Sequence, residues 1–126
     1  MDSCIFCKIV NGEIPSKKIY ENDYVYSLLD ISPQSKGHVL VIPKKHSRDI
    51  YEIDDDILCE VMKAVKKLSV NIKEKLNPEG LNIVQNSGEI AGQSVFHFHI
   101  HIIPRYKREQ EYDIDEVAEE LRIKEL

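Results

Sequence analysis

A chain of 126 residues with 42% apolar and 31% charged residues has the size and composition of one domain built on one core. Seventeen basic against 22 acidic side chains give a net charge of −5, which argues against a general nucleic-acid or membrane-surface role but leaves room for a small anion held by local donors. No stretch approaches the ~20 apolar residues of a membrane span, and Met1-Asp2-Ser3-Cys4 lacks the basic-then-apolar pattern of a signal peptide, so a cytoplasmic location is expected. In that compartment three cysteines are expected as free thiols or metal ligands rather than disulfides.

In chain order, Cys4-Ile5-Phe6-Cys7 opens a short segment that runs to a turn at Gly12. Strands are predicted at Lys18 to Glu21 and Tyr24 to Asp30, with Asn22-Asp23 as the tight turn between them. Ser32 to Gly37 has loop composition, and Gly37 to Pro43 is an apolar run that reads as a central strand ended by proline. Asp54-Asp55-Asp56 suits a helix N-terminus. Ile57, Val61, Val65, Leu68, Ile72 and Leu76 then recur at spacings of three and four, a long amphipathic helix stopped at Asn77-Pro78 and Gly80. Cys59 is expected to pack within that helix. Leu81 to Gln85 alternates as a strand and feeds a glycine-rich loop, and a last helix begins near Ile114 with Asp113 and Glu116 spaced as a capping box. The order implies an α+β domain, an antiparallel sheet with one dominant helix.

The stretch Phe96-His97-Phe98-His99-Ile100-His101-Ile102-Ile103 concentrates the chemistry. As a strand ending at Pro104, it puts His97, His99 and His101 on one face roughly 7 Å apart, with Phe96, Phe98, Ile100 and Ile102 on the other. Such a row admits a catalytic metal centre, a nucleophile with acid/base partners, or three satisfied histidines. The preceding loop, Asn86 to Ser94 with Gly88 and Gly92, can turn backbone N–H groups toward a phosphate, and Ser94 can donate to a leaving group. Cys4-x-x-Cys7 has the spacing of half a zinc site, with His38, His46 and the histidine row as possible completing ligands, or of a redox pair. Asp30, at the end of an apolar strand, can accept two ribose hydroxyls or cap the following loop.

These residues resemble the histidine triad family, in its nucleoside phosphoramidase-like branch. The likeness rests on His97-x-His99-x-His101-Ile102-Ile103, Gly92-Gln93-Ser94-Val95, Ile103-Pro104-Arg105, Gly37 to His46, Leu29 to Pro33, and Cys4 to Ile9 with Gly12 to Pro15. It runs from about Cys4 to Arg105 and implies a sheet of about five antiparallel strands, one long helix and a short C-terminal helix. The resemblance also implies that His99 attacks the α-phosphorus of a purine nucleotide conjugate and that water then releases the nucleoside monophosphate. His101 and His38 would tend the phosphate and the catalytic ring, and Ser94 would serve the leaving group. Asn86 and the backbone around Val95 would contact phosphate, Asp30 the ribose, and Ile5, Phe6, Ile9, Leu28 and Ile31 the base. Cys4, Cys7, His46 and His97 would hold a structural, not catalytic, zinc.

Residues 1–105 would then form the histidine triad domain, and 106–126 a charged tail whose helix packs on it or on a partner. A homodimer is implied, with no nucleic-acid or membrane partner. Hydrolysis of dinucleoside polyphosphates is the runner-up activity. A non-enzymatic nucleotide-binding or scaffold protein is the alternative of another class, and a catalytic metal at the triad is a third reading.

Overall fold

The computed structural model describes residues 3–123; Met1 and Asp2 of the N-terminal segment and the last three residues of the tail lie outside the described residues. Its elements run α1 (Ile5–Val10), β1 (Lys18–Glu21), β2 (Val25–Leu29), β3 (Val39–Pro43), α2 (Asp55–Leu76), β4 (Gly80–Gln85), a short 3-10 turn at Glu89–Ala91, β5 (Ile100–Arg105) and α3 (Ile114–Leu121). The strands form one antiparallel sheet in the order β1-β2-β3-β5-β4. The α+β reading of the sequence is therefore the fold.

Every residue of β2 and β3 is buried, because both faces of the sheet are covered. Val39 and Val41 join Ile100, Ile102 and Phe98 beneath the α2 stripe of Val61, Ala64, Val65, Leu68 and Ile72. Leu40 and Ile42 point the other way, into a second cluster with Tyr26, Leu28, Phe6 and Ile9. Alternation along β3 thus serves two cores, each large side chain contributing roughly 1.5–3 kcal/mol by burial. Helix α3 closes the first core with Val117, Ala118 and Leu121.

Local signals explain most boundaries. Asn22 Oδ1 accepts from the N–H groups of Tyr24 and Val25, which fixes the β1–β2 turn. Asp55 and Asp56 occupy the first turn of α2, and Asn77 ends it in the left-handed conformation. Asp113 caps α3 by accepting from the N–H groups of Asp115 and Glu116. The Cys4 to Gly12 segment proves to be helical from Ile5, with Cys4 Sγ accepting the Cys7 N–H at 3.4 Å as its cap. Six residues are too few for a helical period to show in sequence.

Three expectations need correction. Cys59 is exposed, because it falls off the α2 stripe that faces the sheet. The histidine stretch is not one strand from Phe96 to Ile103: β5 begins at Ile100 and runs through Pro104 to Arg105. The Phe98 N–H leaves the ladder to donate to the Ser47 carbonyl at 2.6 Å, so the backbone carrying His97 and His99 is held by a loop. Pro104 is tolerated inside β5 because pairing with β3 ends at Val39↔Ile102, leaving no ladder bond there for the missing N–H to break. Phe96, finally, does not join the core; it is 37% exposed beneath the Arg48 side chain.

Gly37 places His38 at the head of β3. Its φ of +86° favours glycine, and a Cβ there would lie 2.5 Å from Leu76 Cδ1 and 3.4 Å from Pro104 Cγ. Gly37→Ala is expected to destabilise the fold by about 2 kcal/mol or more, the combined cost of the left-handed backbone and the overpacking. Urea denaturation measures it, and a wild-type midpoint would show that the close approach is inconsequential.

Candidate active site

His99 takes its orientation from the turn that precedes β5. Its Nδ1 lies 2.8 Å from the carbonyl oxygen of His97. A carbonyl only accepts, so the ring proton sits on Nδ1 and Nε2 keeps its lone pair. Burial holds the His99 pKa below the usual histidine range, against the raising effects of this hydrogen bond and of Asp30. The ring, 5% exposed, borders a cavity of about 280 Å³ and meets the Phe6 ring edge-on at 5.2 Å. A neutral, oriented imidazole with a free lone pair at a cavity is equipped as a nucleophile.

A second chain of hydrogen bonds fixes the neighbouring rings. The backbone N–H of Gln34 donates to His38 Nδ1 at 3.1 Å, which leaves the proton of a neutral His38 on Nε2. That proton points at His101 Nδ1, 3.0 Å away, so the proton of neutral His101 must sit on Nε2. One backbone N–H thereby sets two tautomers and makes His101 a donor beyond the pair. Asp30 Oδ2 stands 3.6 Å from His38 Nε2, and its other oxygen accepts the Ser32 N–H. The His99 and His101 rings are 5.0 Å apart between centroids, closer than strand geometry alone predicts, because His99 is off the ladder.

The same cavity gathers most of the residues expected from the sequence. His99, His101, Asp30, Ser94 and Val95 border it, and Ile5, Phe6, Ile9, Leu28 and Ile31 supply its apolar side. Ile31 is 77% exposed and forms a rim rather than a wall. Two expected residues do not border it. His38 is buried behind His101, and Asn86 lies in the glycine-rich loop, its amide nitrogen 3.6 Å from where a Cβ on Gly92 would stand.

A second cluster lies at the foot of the same histidine segment. Cys4 Sγ and Cys7 Sγ lie 3.3 and 3.6 Å from His97 Nδ1, and Cys7 Sγ lies 3.3 Å from His46 Nδ1. All four donor atoms fall within 4.8 Å of one another. His97 Nε2 donates to the Pro43 carbonyl at 2.8 Å, which leaves Nδ1 as a lone pair facing the thiols. A carbonyl orienting a ring whose other nitrogen faces two sulfurs is the arrangement a metal-binding histidine needs. Without a metal, burial and then the hydrogen bond and charge of Cys4 push Cys7 up to about 11, and burial drives His97 down to about 4. The donor set of two sulfurs and two imidazoles suits tetrahedral zinc with every position taken.

Three positioning residues have no assigned role in the sequence reading. Gln93, 2% exposed, accepts the Gly88 N–H and donates to the carbonyls of Arg48 and Val95, tying the glycine-rich loop to the loop after β3. Its place beside Ser94 was the available signal. Gln34 acts through its backbone and Arg48 through distant contacts, which no local pattern announces.

Comparison with known proteins places the chain in a family. A family model described as the HIT domain matches residues 11–108. The chain belongs to the HIT family. A HIT-like protein of Methanocaldococcus jannaschii is 50% identical, the match covering 94% of this chain and 98% of that one. An adenosine 5′-monophosphoramidase of Candida albicans is 50% identical over 82% of this chain and 70% of its own length. Among solved structures, a Zn-bound histidine triad family protein from Mycobacterium smegmatis has a TM-score of 0.89 and 35% identity, covering 96% of this chain and 91% of that one.

In this HIT chain the buried imidazoles have a consequence for pH. Burial first, then the charges of His99 and His38, lower His101 to about 4, against the pull of Asp30. An unfolded histidine titrates near 6.5. The stability that rests on neutral His101 is therefore complete above about pH 6.5 and is lost as pH falls from there through 4, because the unfolded chain takes the proton first. An NMR titration is expected to find His101 neutral at about pH 5.5, with the urea midpoint falling over the same range. An inflection for His101 near 6.5 contradicts the assignment.

Proposed function

We propose that this HIT protein is a hydrolase that cleaves purine nucleoside phosphoramidates or related nucleotide conjugates through a covalent nucleotidyl-histidine. The observation that carries the reading is the hydrogen bond from His99 Nδ1 to its own segment's backbone, which leaves the lone pair on Nε2 of a ring that borders the cavity. The Candida relative named adenosine 5′-monophosphoramidase supports the substrate class.

In the first step His99 Nε2 bonds to the α-phosphorus as the P–N bond to the leaving amine breaks, and that nitrogen takes up a proton from solvent relayed through the Ser94 hydroxyl. The ring becomes cationic, and the His97 carbonyl at Nδ1 stabilises that charge as it develops. Water then attacks phosphorus and gives up a proton to solvent, His99 leaves as a neutral ring, and nucleoside monophosphate is released. His101 presents its Nε2 proton to the phosphoryl group, while Ser94 donates to the departing nitrogen. The backbone at Val95 and the Asn86 amide are assigned to phosphate, Asp30 to the ribose hydroxyls, and Ile5, Phe6, Ile9, Leu28 and Ile31 to the base.

Cys4, Cys7, His46 and His97 are assigned a structural zinc, which when bound would contribute cross-linking rather than catalysis, since the protein fills its coordination. It would join α1 and the turn after β3 to the catalytic segment. The edge position of β4, with Ile83 half exposed, supports a homodimer formed through that strand. Residues 1–105 are assigned to the histidine triad domain and 106–126 to a C-terminal tail whose helix packs on it. Among the described residues no helix is long and apolar enough to cross a membrane; a cytoplasmic location is part of this reading.

A fluorogenic adenosine phosphoramidate tests the function. The wild-type chain should turn it over, and His99→Ala should slow it by roughly 10³-fold or more. Equal rates for the two would leave a nucleotide-binding protein without this chemistry. For the metal, a chelator or Cys7→Ser is expected to lower the Tm while activity per folded molecule is largely kept. Activity lost at once, with the melting curve unmoved, would instead make the metal catalytic.

A further inference from the structure

The polar stretch after Arg105 has no part in the function above, yet it walls a separate cavity. That cavity, of about 390 Å³, lies between the loop leading into β3 and the chain after β5. Gln34, Lys36, Arg105, Tyr106, Arg108 and Tyr112 stand on its walls, and none of them borders the cavity of His99. Hydrogen bonds hold the walls together. Ser35 Oγ donates to the Pro104 carbonyl at 2.5 Å, and Tyr106 Oη donates to the Lys36 carbonyl at 2.8 Å. Glu79 accepts the Lys107 N–H at 3.2 Å, which ties the chain after β5 to the residue before β4.

In a chain of net charge −5 this cavity is locally basic. Lys36, Arg105 and Arg108 border it, and Glu109 is the acidic residue beside them. Among the described residues none of the three cations is paired with a carboxylate. Arg105 is held by neutral partners instead. Its Nε donates to Asn82 Oδ1 of β4 at 2.8 Å, and its Nη2 donates to Gln34 Oε1 at 3.1 Å. The guanidinium is thereby fixed in direction, and its Nη1 edge is left for a ligand.

Charge and size then narrow the ligand. Three cations against one carboxylate leave an excess of two positive charges on the walls. A phosphate monoester carries about −1.5 to −2 at neutral pH and matches that excess, where a single carboxylate meets half of it. The volume falls in the range of roughly 300–1,000 Å³ typical of small-molecule sites, too small for a nucleic-acid strand. Tyr106 and Tyr112 give the rest of such a molecule an aromatic surface, and the Tyr106 ring is fixed through its hydroxyl.

We propose that this cavity is a second ligand site for a small phosphate monoester, with the phosphate on Lys36, Arg105 and Arg108 and the organic part against Tyr106 and Tyr112. The site stands independently of the hydrolase reading. It meets the catalytic rings at Gln34, whose side chain holds Arg105 while its backbone N–H donates to His38 Nδ1. A ligand that draws Arg105 toward itself therefore acts on the residue that sets the His38 and His101 tautomers.

The test follows the backbone amide signals of the full chain by NMR during titration with phenyl phosphate, with phenol as the uncharged control. The signals of Gln34, Lys36, Tyr106 and Arg108 are expected to shift together, with a Kd of about 1 mM or tighter. Phenol should bind there at least about tenfold more weakly, the size of a charge-assisted contact. Lys36→Gln combined with Arg108→Gln should weaken the phosphate ester by about tenfold or more, while any response of Ser94 and Val95 in the catalytic cavity stays unchanged. Thermal melting checks that the double variant folds, and Arg108→Gln alone, at an exposed position, takes its place if it does not. Shifts confined to Ser94 and Val95, an affinity that survives the substitutions, or phenol binding as tightly as its phosphate would each overturn the inference. Failure to turn over an adenosine phosphoramidate would remove the hydrolase reading and leave this site untouched.

Discussion

Each imidazole of the row at 97, 99 and 101 has one ring nitrogen tied to a fixed partner, and the other is thereby left with a defined role. His97 gives its Nε2 proton to Pro43, His99 gives its Nδ1 proton to His97, and His101 receives at Nδ1 from His38. Neutral imidazole has one donor and one acceptor, so fixing one nitrogen decides the other. The result is a lone pair facing the thiols, a lone pair on a ring that borders the cavity, and a donor beyond the His38 pair. Burial supports all three by disfavouring the charged ring, which would turn both nitrogens into donors.

That constraint explains why the segment cannot be a regular strand throughout. In a continuous ladder the carbonyl of His97 would be engaged by a neighbouring strand or turned away from the His99 ring. Releasing the backbone at Phe98 to Ser47 frees that carbonyl to accept from His99 Nδ1. The ladder resumes at Ile100, where Ile100 and Ile102 anchor the segment in the main core. Rigidity therefore comes from both ends: a buried strand below and a loop clamped by Gln93 above.

Much of this was legible in the residues. The helical period ending at Leu76, the apolar run through Val41, the capping pair at Asp113 and Glu116, and the histidine motif each carry a local signal of period or turn chemistry. The cavity residues were reachable because the motif specifies a family geometry. What was hidden depends on contacts distant in sequence or on backbone alone. Gln34 works through its N–H, so its side chain gives no warning, and Arg48 matters only because the fold sets it over Phe96. Six-residue α1 is capped by a cysteine sulfur, outside the usual capping vocabulary. Alternation overextended the histidine strand because Phe96 and Phe98 fit the pattern while their backbone bonds elsewhere.

His97 couples the two clusters through opposite ends of one residue. Its ring faces Cys4 and Cys7, and its carbonyl holds the ring of His99. Rotation of the His97 side chain alone would leave that carbonyl in place, but a shift of the Pro43 turn or of α1 would move the backbone that carries it. The His97 and His99 rings also both abut Phe6 from α1, at 5.8 and 5.2 Å. Anything that firms α1 against the His46 turn therefore narrows the range of directions in which His99 Nε2 can point. The cysteine–histidine cluster therefore bears on His99 only indirectly, through the packing of α1 and Phe6, and loosening it acts on the order of α1 before it reaches the ring of His99.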